Sequence, residues 1–413
     1  MKRRPTALAT AAALAALTSP VAGCGGDDAE RAGTQPILGR RLAVYVSVPS
    51  RGDDAGAAKA LQRGAELALA ERRGRAGRYG VRLRALDARA GGESAVRRNG
   101  RLTVQDTTSV GYIGEIESQV TKVTMPQLNH AGVAQIAPTA TYTGLTRGGE
   151  ASEPGEPDKY NPTGVRTLAR LVPPDTVQGA ALVEAARQAG CARVRIWRSN
   201  TPFGLGIARS VKSAAGDRGL DLAGTEEIKP QQPSYARQAE DVAADCLVWA
   251  GEPETSGVQI LNDAASGNRT LKLFAPNSHC TSAAVDARGG ISAATAPRLR
   301  CTRPVVEPRS GRGAEVLARY RERFGDRGVD DAYAVYGYEA MMVLLDAVAK
   351  AAGAGDAITR AAVSEAVYSL GPRDGAIGRY EIDSGGDVDV RTFGLFEIAG
   401  GELRQEKLLQ PKG

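Results

Sequence analysis

Leu42-Ala43-Val44-Tyr45-Val46-Ser47-Val48 is an almost unbroken apolar run. Residues 56–73 after it switch to a helical period, with Ala60, Leu61, Gly64, Ala65 and Ala68 on one face. An apolar strand followed by an amphipathic helix is the repeating unit of a parallel sheet covered by helices. The unit recurs outward from this point. Residues 81–86 read as a strand ending at Asp87, 93–105 as a helix and 109–113 as a strand ending at Gly114. Residues 118–131 read as a helix despite Pro126, and 133–137 as a strand ending at Pro138. The segment 144–164 interrupts the alternation; it is rich in Gly, Glu and Pro and reads as a surface loop or insertion.

Beyond Pro173-Pro174 the alternation resumes. Helices at 179–188, 206–215, 234–243 and 254–265 alternate with strands at 192–197, 222–228, 247–250 and 271–274. Two such runs predict the α/β class, with two doubly wound parallel-sheet lobes. The tail differs: helices at 314–324, 333–350 and 358–370 precede strands at 375–382 and 391–398.

The N-terminus carries an address. Lys2, Arg3 and Arg4 precede an apolar run over residues 7–17, then Val21-Ala22-Gly23-Cys24, then the polar Gly25-Gly26-Asp27-Asp28. That is the layout of a secretory signal, and the run is too short for a bilayer, which needs about 20 apolar residues. The small-residue approach to Cys24 resembles the bacterial lipobox. It implies a signal peptide over 1–23, a lipidated Cys24, a flexible tether over 24–39 and an extracytoplasmic protein anchored to the outer face of the cytoplasmic membrane. The alternative is ordinary cleavage nearby, with Cys24 a bystander. No second apolar stretch approaches spanning length.

Of the formal net charge of +6, the three charges on Lys2, Arg3 and Arg4 leave with the signal, so +3 remains. That small excess is spread over both lobes and argues against nucleic acid as a partner. Cys191, Cys246, Cys280 and Cys301 remain after Cys24, an even number that suits two disulfides in an exported chain. Cys191 and Cys246 each precede a strand-like run whose starts would lie side by side, and Cys280 and Cys301 flank one short segment. The pairs Cys191–Cys246 and Cys280–Cys301 are therefore expected. His130 and His279 are the only histidines, no CxxC spacing occurs, and neither G-x-S-x-G nor GxxxxGK[ST] is present. No enzyme activity, metal or cofactor is expected.

Several short motifs, in order, resemble one family. Asn129-His130-Ala131-Gly132-Val133 leads into Ala137-Pro138-Thr139-Ala140-Thr141 and then Gly144-Leu145-Thr146. Gly64-Ala65-Glu66-Leu67-Ala68, Tyr112-Ile113-Gly114, the run VPPDTVQG at 172–179, Phe203-Gly204-x-Gly206-x-Ala208, Tyr336-Gly337-Tyr338-Glu339-Ala340 and residues 375–387 follow the same order. Together they resemble the branched-chain amino-acid-binding proteins, the type I periplasmic binding proteins of ABC transporters. The resemblance implies two lobes joined by three crossovers, one from residues 40–170 plus 296–372 and the other from 171–295 plus 373–413. It places a ligand in the cleft at the carboxyl ends of the strands.

The same resemblance implies the site. Ser118 matches a carboxylate-binding serine at a helix start, with a plain helix cap as the alternative. Thr139, Ala140 and Thr141 match a second carboxylate-binding turn. In the opposite lobe three positions depart from the family pattern. Phe203 stands where a covering Tyr is usual, Glu252 replaces an aromatic, and Asn277 replaces the carboxylate that holds an ammonium. An amide supplies an acceptor oxygen but no charge, so Glu252 or Glu254 would have to restore it. Asp87 and Asp175 are assigned structural roles. The expected function is a solute-binding lipoprotein of an ABC importer. It would act as a monomer, closing on an amino acid or related small polar ligand and presenting the closed form to a membrane permease. The alternative is a sensing module that presents the same closed form to a membrane receptor.

Overall fold

The computed structural model describes residues 33–411, apart from 53, 89–91, 150, 287–288, 326 and 356 and the side chains of 254 and 329. Cys24 and the expected signal peptide lie outside the described residues. The first lobe is built on strands β1 (Arg41–Val48), β2 (Arg75–Ala76), β3 (Tyr79–Asp87), β4 (Ser109–Ile113), β5 (Ala134–Ala137) and β6 (Leu168–Arg170). They lie in the order β2-β3-β1-β4-β5-β6, all parallel apart from the short β2. Helices α1 (Ala55–Glu71), α2 (Glu93–Gln105) and α3 (Ser118–His130) return the chain between them.

The second lobe opens with α4 (Asp175–Gln188), β7 (Arg193–Arg198), α5 (Pro202–Asp217) and β8 (Asp221–Glu227). It continues with α6 (Ala236–Glu240), β9 (Cys246–Ala250), α7 (Gly257–Gly267), β10 (Lys272–Ala275) and β11 (Leu299–Arg303). Then α8 (Gly311–Phe324), α9 (Ala332–Gly353) and α10 (Arg360–Tyr368) run back to the first lobe, followed by a hairpin, β12 (Arg373–Gly375) and β13 (Gly378–Tyr380). The chain closes with β14 (Phe393–Ala399) and β15 (Glu402–Leu409) in the second sheet, whose order is β15-β14-β11-β10-β9-β7-β8.

The two doubly wound lobes agree with the expected class, and the division of the chain between them is displaced. β11, assigned to the first lobe by the expected boundary at 296, pairs with β10 and β14 in the second sheet. Leu299 and Cys301 bury themselves in that lobe's core. At the other end, Ala376, Tyr380, Ile382 and Val388 pack into the first lobe's core, not the second's. Glu339 on α9 holds the hairpin there, accepting from the Tyr380 hydroxyl at 2.6 Å and the Ala376 N–H at 2.7 Å. The three crossovers therefore fall at residues 171–174, 304–310 and 389–392.

Close packing explains two of the glycines. A Cβ at Gly64 would stand 1.9 Å from the Ala334 carbonyl, and one at Gly337 would stand 1.9 Å from the Leu61 carbonyl. α1 and α9 therefore touch backbone to backbone. α9 is long and apolar enough to cross a membrane, but 83% of its apolar window is buried inside the lobe, which is the signature of a core helix.

The segment 144–164 is not the loose surface loop its composition suggests. Leu145 and Tyr160 are buried, and the Glu156 carboxylate is fully enclosed. Glu156 accepts from the hydroxyls of Tyr142 at 2.7 Å and Tyr160 at 2.5 Å and from the Glu153 N–H at 2.7 Å. Lys122 and Lys159 stand 3.6 and 3.3 Å away. Burial alone would raise the Glu156 pKa, but the Tyr160 and Tyr142 hydroxyls lead a set of partners that hold it below the usual carboxylate range. The charge is tolerated because its oxygens are satisfied. β15 was not expected either: in Glu402–Leu409 only Leu403, Leu408 and Leu409 are apolar, and only Leu403 and Leu409 are buried, which suits an edge strand with one wet face.

Both disulfides form as expected. Cys191–Cys246 joins the starts of β7 and β9, with Cα atoms 6.1 Å apart, and Cys280–Cys301 ties the turn after β10 to β11 at 5.5 Å.

Candidate functional site

A cleft of about 190 Å³ opens between the lobes, and the carboxyl ends of strands from both sheets supply its walls. From the first lobe come Asp54 after β1, Ile116, Glu117, Ser118 and Gln119 after β4, and Thr139 and Thr141 after β5. From the second come Phe203 after β7, Glu252 after β9, Asn277 and Ser278 after β10, and Arg303 at the end of β11. This is where an open parallel sheet presents loops and free backbone groups.

The first-lobe wall is a donor surface. Ser118 is the first helical residue of α3, and Glu117 stands at the cap. The hydroxyl accepts from the Tyr142 N–H at 3.1 Å, and its proton meets no acceptor among the described residues. The plain-cap alternative does not describe it. The Thr139 hydroxyl is committed to the Ile116 carbonyl at 2.8 Å, which binds the two turns to each other. Ala140 is 1% exposed and keeps its side chain out of the cleft, so its contribution is backbone. Among the described residues, the backbone N–H groups of Ala140 and Thr141 meet no backbone acceptor. The positive end of α3 adds to their field.

Arg170, the last residue of β6, shapes this turn from below. Its guanidinium is fully buried, donating to the carbonyls of Ala140 at 3.1 Å and Tyr142 at 2.9 Å and to the Thr146 hydroxyl. It also pairs with Asp387 at 2.8 Å, beside the third crossover. The Thr146 hydroxyl donates to Asp387 at 2.6 Å, and Arg147 pairs with it too. With its carbonyls drawn toward Arg170, the turn is free to aim its N–H groups at the cleft.

Asp175, at the start of α4, is fully buried beside Thr141: its N–H donates to the Thr141 carbonyl at 2.8 Å. Neither carboxylate oxygen makes a hydrogen bond of ordinary geometry among the described residues. Burial pushes its pKa up to about 6, against the opposing pulls of the Thr141 hydroxyl and the Arg170 charge.

The second-lobe wall is an acceptor surface. Phe203 sits in the first turn of α5, behind Thr201, whose side chain caps the helix by accepting from the Gly204 N–H at 3.0 Å. Glu252 is fixed by hydroxyl donors, Ser199 at 3.0 Å and Thr201 at 2.8 Å. Asn277 holds its Oδ1 buried with no partner among the described residues. Glu254 contributes no described side chain.

The structure thus brings Ser118, Thr139, Thr141, Phe203, Glu252 and Asn277 to one cavity and leaves Ala140 just behind it. Sequence reasoning missed Asp54, Glu117, Arg303 and Tyr333. Arg303 is almost fully buried, with its guanidinium 4.5 Å from the Phe396 ring centre, 5.5 Å from that of Tyr333 and 3.9 Å from Asp330. Its place at the end of β11, just before Pro304, was the available signal. His279 stays out of this cleft; burial lowers its pKa to about 3, so it is a neutral core histidine. Among the described residues, no cluster of three or more His, Cys, Asp or Glu side chains is placed to hold a metal ion.

Two α/β lobes with a donor wall facing an acceptor wall define a binding protein that holds a small solute between domains. The comparisons agree: a family model for periplasmic binding proteins matches residues 44–402, and the chain belongs to that family. An ABC transporter substrate-binding protein from Desulfitobacterium hafniense, solved in complex with Leu, is 20% identical; the alignment covers 88% of this chain and 99% of that one, with a TM-score of 0.70. The leucine-binding protein LivK from Thermotoga maritima is 19% identical, with coverage of 90% and 99% and the same TM-score. A solute-binding protein from Rhodopseudomonas palustris, solved with p-hydroxybenzoic acid, is 14% identical, with coverage of 90% and 98% and a TM-score of 0.70. The curated proteins give no match.

Proposed function

We propose that the protein is anchored by a lipid at Cys24 and closes its lobes on a small carboxylate-bearing polar ligand, an amino acid or a close relative, for delivery to a membrane permease. One observation carries the reading. Ser118 and Thr141 line the same cleft as Glu252 and Asn277, and among the described residues the Ala140 and Thr141 N–H groups meet no backbone acceptor and the Asn277 Oδ1 meets no partner. Donors on one lobe and acceptors on the other suit a ligand with a carboxylate at one end and an ammonium or amide at the other. A ligand making both sets of bonds gains only when the lobes meet, so it favours the closed state.

The rest of the lining argues against leucine itself. Asp54, Glu117 and Arg303 add charge to the cleft lining, beside the apolar Phe203, Ile116 and Val305. A ligand with a polar side chain fits this better than an aliphatic one. The neighbours solved with leucine and with p-hydroxybenzoic acid share one group, a carboxylate.

The test is a thermal-shift panel of amino acids, their amides and aromatic acids on the purified mature protein. Ligand at about 100 times its Kd stabilises by about 2.7 kcal/mol, which is readily seen as a rise in Tm. A rise with polar amino acids, and none with their amides, supports the proposal. No rise with any carboxylate would overturn it.

A further inference from the structure

The edge of the first lobe opposite the cleft gathers arginines. Parallel strands share a starting edge, and α1, α2 and α3 end there because they run back against the strands. Arg40 and Arg41 lead into β1, Arg73 and Arg75 follow α1, and Arg101 lies near the end of α2; all five are exposed. Leu38 (86% exposed), Val165 (57%) and Leu102 (42%) stand on the same edge. Among the described residues, the other large apolar side chain left so exposed, Leu408, belongs to the second lobe. Carboxylates on this edge are engaged by further arginines: Asp106 with Arg82 and Arg84, and Asp158 with Arg166.

The described chain enters the fold at this edge. Gly33 packs against Ala131, Gly132 and Arg360, its carbonyl accepts from the Ala361 N–H at 3.0 Å, and the Ile37 N–H donates to the Ile358 carbonyl at 2.8 Å. Eight residues separate Cys24 from Gly33, nine steps along the chain. Fully extended they reach about 30 Å, and as a relaxed coil about 17 Å.

We propose that this basic edge of the first lobe rests on the anionic phospholipid surface of the membrane and turns the cleft away from it. The inference rests on the anchor reading of Cys24 for its geometry. A short leash delivers this edge to the bilayer first, exposed arginines meet lipid phosphates, and Leu38 and Val165 enter the headgroup layer. Attraction acts within a Debye length of about 8 Å at physiological salt, and the leash keeps the edge close to that range. The cleft lies at the other ends of the same strands and stays open to solute.

Vesicle co-sedimentation of the mature chain carrying Cys24→Ser tests the surface without the lipid. The wild-type surface is expected to bind mixed phosphatidylglycerol–phosphatidylcholine vesicles, to ignore pure phosphatidylcholine, and to release in about 0.5 M salt. Arg40→Glu, Arg41→Glu, Arg75→Glu and Arg101→Glu together should cut the partition coefficient at least about tenfold. The same change of net charge on the second lobe, with Lys212→Glu, Lys229→Glu, Arg237→Glu and Arg269→Glu, should cut it less than about twofold. Equal binding to neutral vesicles, or equal loss in the two quadruple variants, would overturn the proposal. Circular dichroism shows whether each variant is folded, and mass spectrometry of the membrane-extracted protein tests the anchor at Cys24 separately.

Discussion

At the scale of single residues, the site depends on which polar atoms are already spent. The Thr139 hydroxyl is spent on Ile116, whereas the Ser118 hydroxyl keeps a proton and the Asn277 Oδ1 keeps both lone pairs. Ser118→Ala should therefore weaken binding by about tenfold or more, as loss of a hydrogen bond to a charged group does, while lowering the stability of the empty protein by only about 1–3 kcal/mol, the cost of the lost Tyr142 N–H bond. Calorimetric titration and a melting curve together check this. Asn277→Asp adds the missing charge and should favour an amino acid over its N-acylated derivative, read as the ratio of their Kd values. Asp175 gives a pH signature. Its folded pKa of about 6 lies above its ordinary value of 3.8, so its protonated form is favoured by folding. It costs nothing below about pH 4, and its cost grows as pH rises to about 6. The stability gain from Asp175→Asn should thus be near zero at pH 4, rise through that window and level off above it, as denaturant melts at several pH values will show.

At the scale of elements, the sequence told unevenly. Strands such as Arg41–Val48 and Cys246–Ala250 were legible because burial on both faces demands continuous apolar runs. Glu402–Leu409 was not, because its wet face leaves only Leu403, Leu408 and Leu409 apolar among polar and charged residues. The strand Leu299–Arg303 was hidden as well, since Arg300, Thr302 and Arg303 leave it only two apolar residues. The motif residues of the cleft were readable from short local patterns, but Arg303 and Asp54 reach it through tertiary folding alone. The 144–164 segment misled because its Glu and Gly content resembles a solvated loop, whereas Glu156 is buried in a shell of hydroxyls. Arg170 and Asp387 join two crossover regions to the ligand turn. Asp387 is desolvated, yet the charge of Arg170 leads the groups that hold its pKa below 3.8, so it stabilises the fold at neutral pH and its contribution fades only as pH falls below about 4. Asp387→Asn should cost about 3 kcal/mol at pH 7, as breaking a buried pair does. It should also weaken ligand binding, because Arg170 would no longer be held against the Ala140 and Tyr142 carbonyls.

At the scale of the whole molecule, stability and closure are separable. Both disulfides lie within the second lobe, bridging sequence separations of 55 and 21 residues. Chain entropy assigns them about 4 and about 3 kcal/mol, so reduction should lower the Tm while leaving the cleft's Kd nearly unchanged in protein that stays folded. Closure should shrink the radius of gyration on ligand addition, seen by small-angle scattering, and a variant that binds without shrinking would separate affinity from hinge motion. The central claim is that the first-lobe donors bind a carboxylate and the second-lobe acceptors bind the ligand's other polar end. The most direct measurement is a crystal structure of the protein with the strongest ligand from the thermal panel. The account predicts the carboxylate within about 2.6–3.2 Å of the Ser118 hydroxyl and the Ala140 and Thr141 N–H groups, with Glu252 or Asn277 on the opposite polar group. A ligand whose carboxylate sits on Arg303 instead, or one bound outside the cleft, would contradict it.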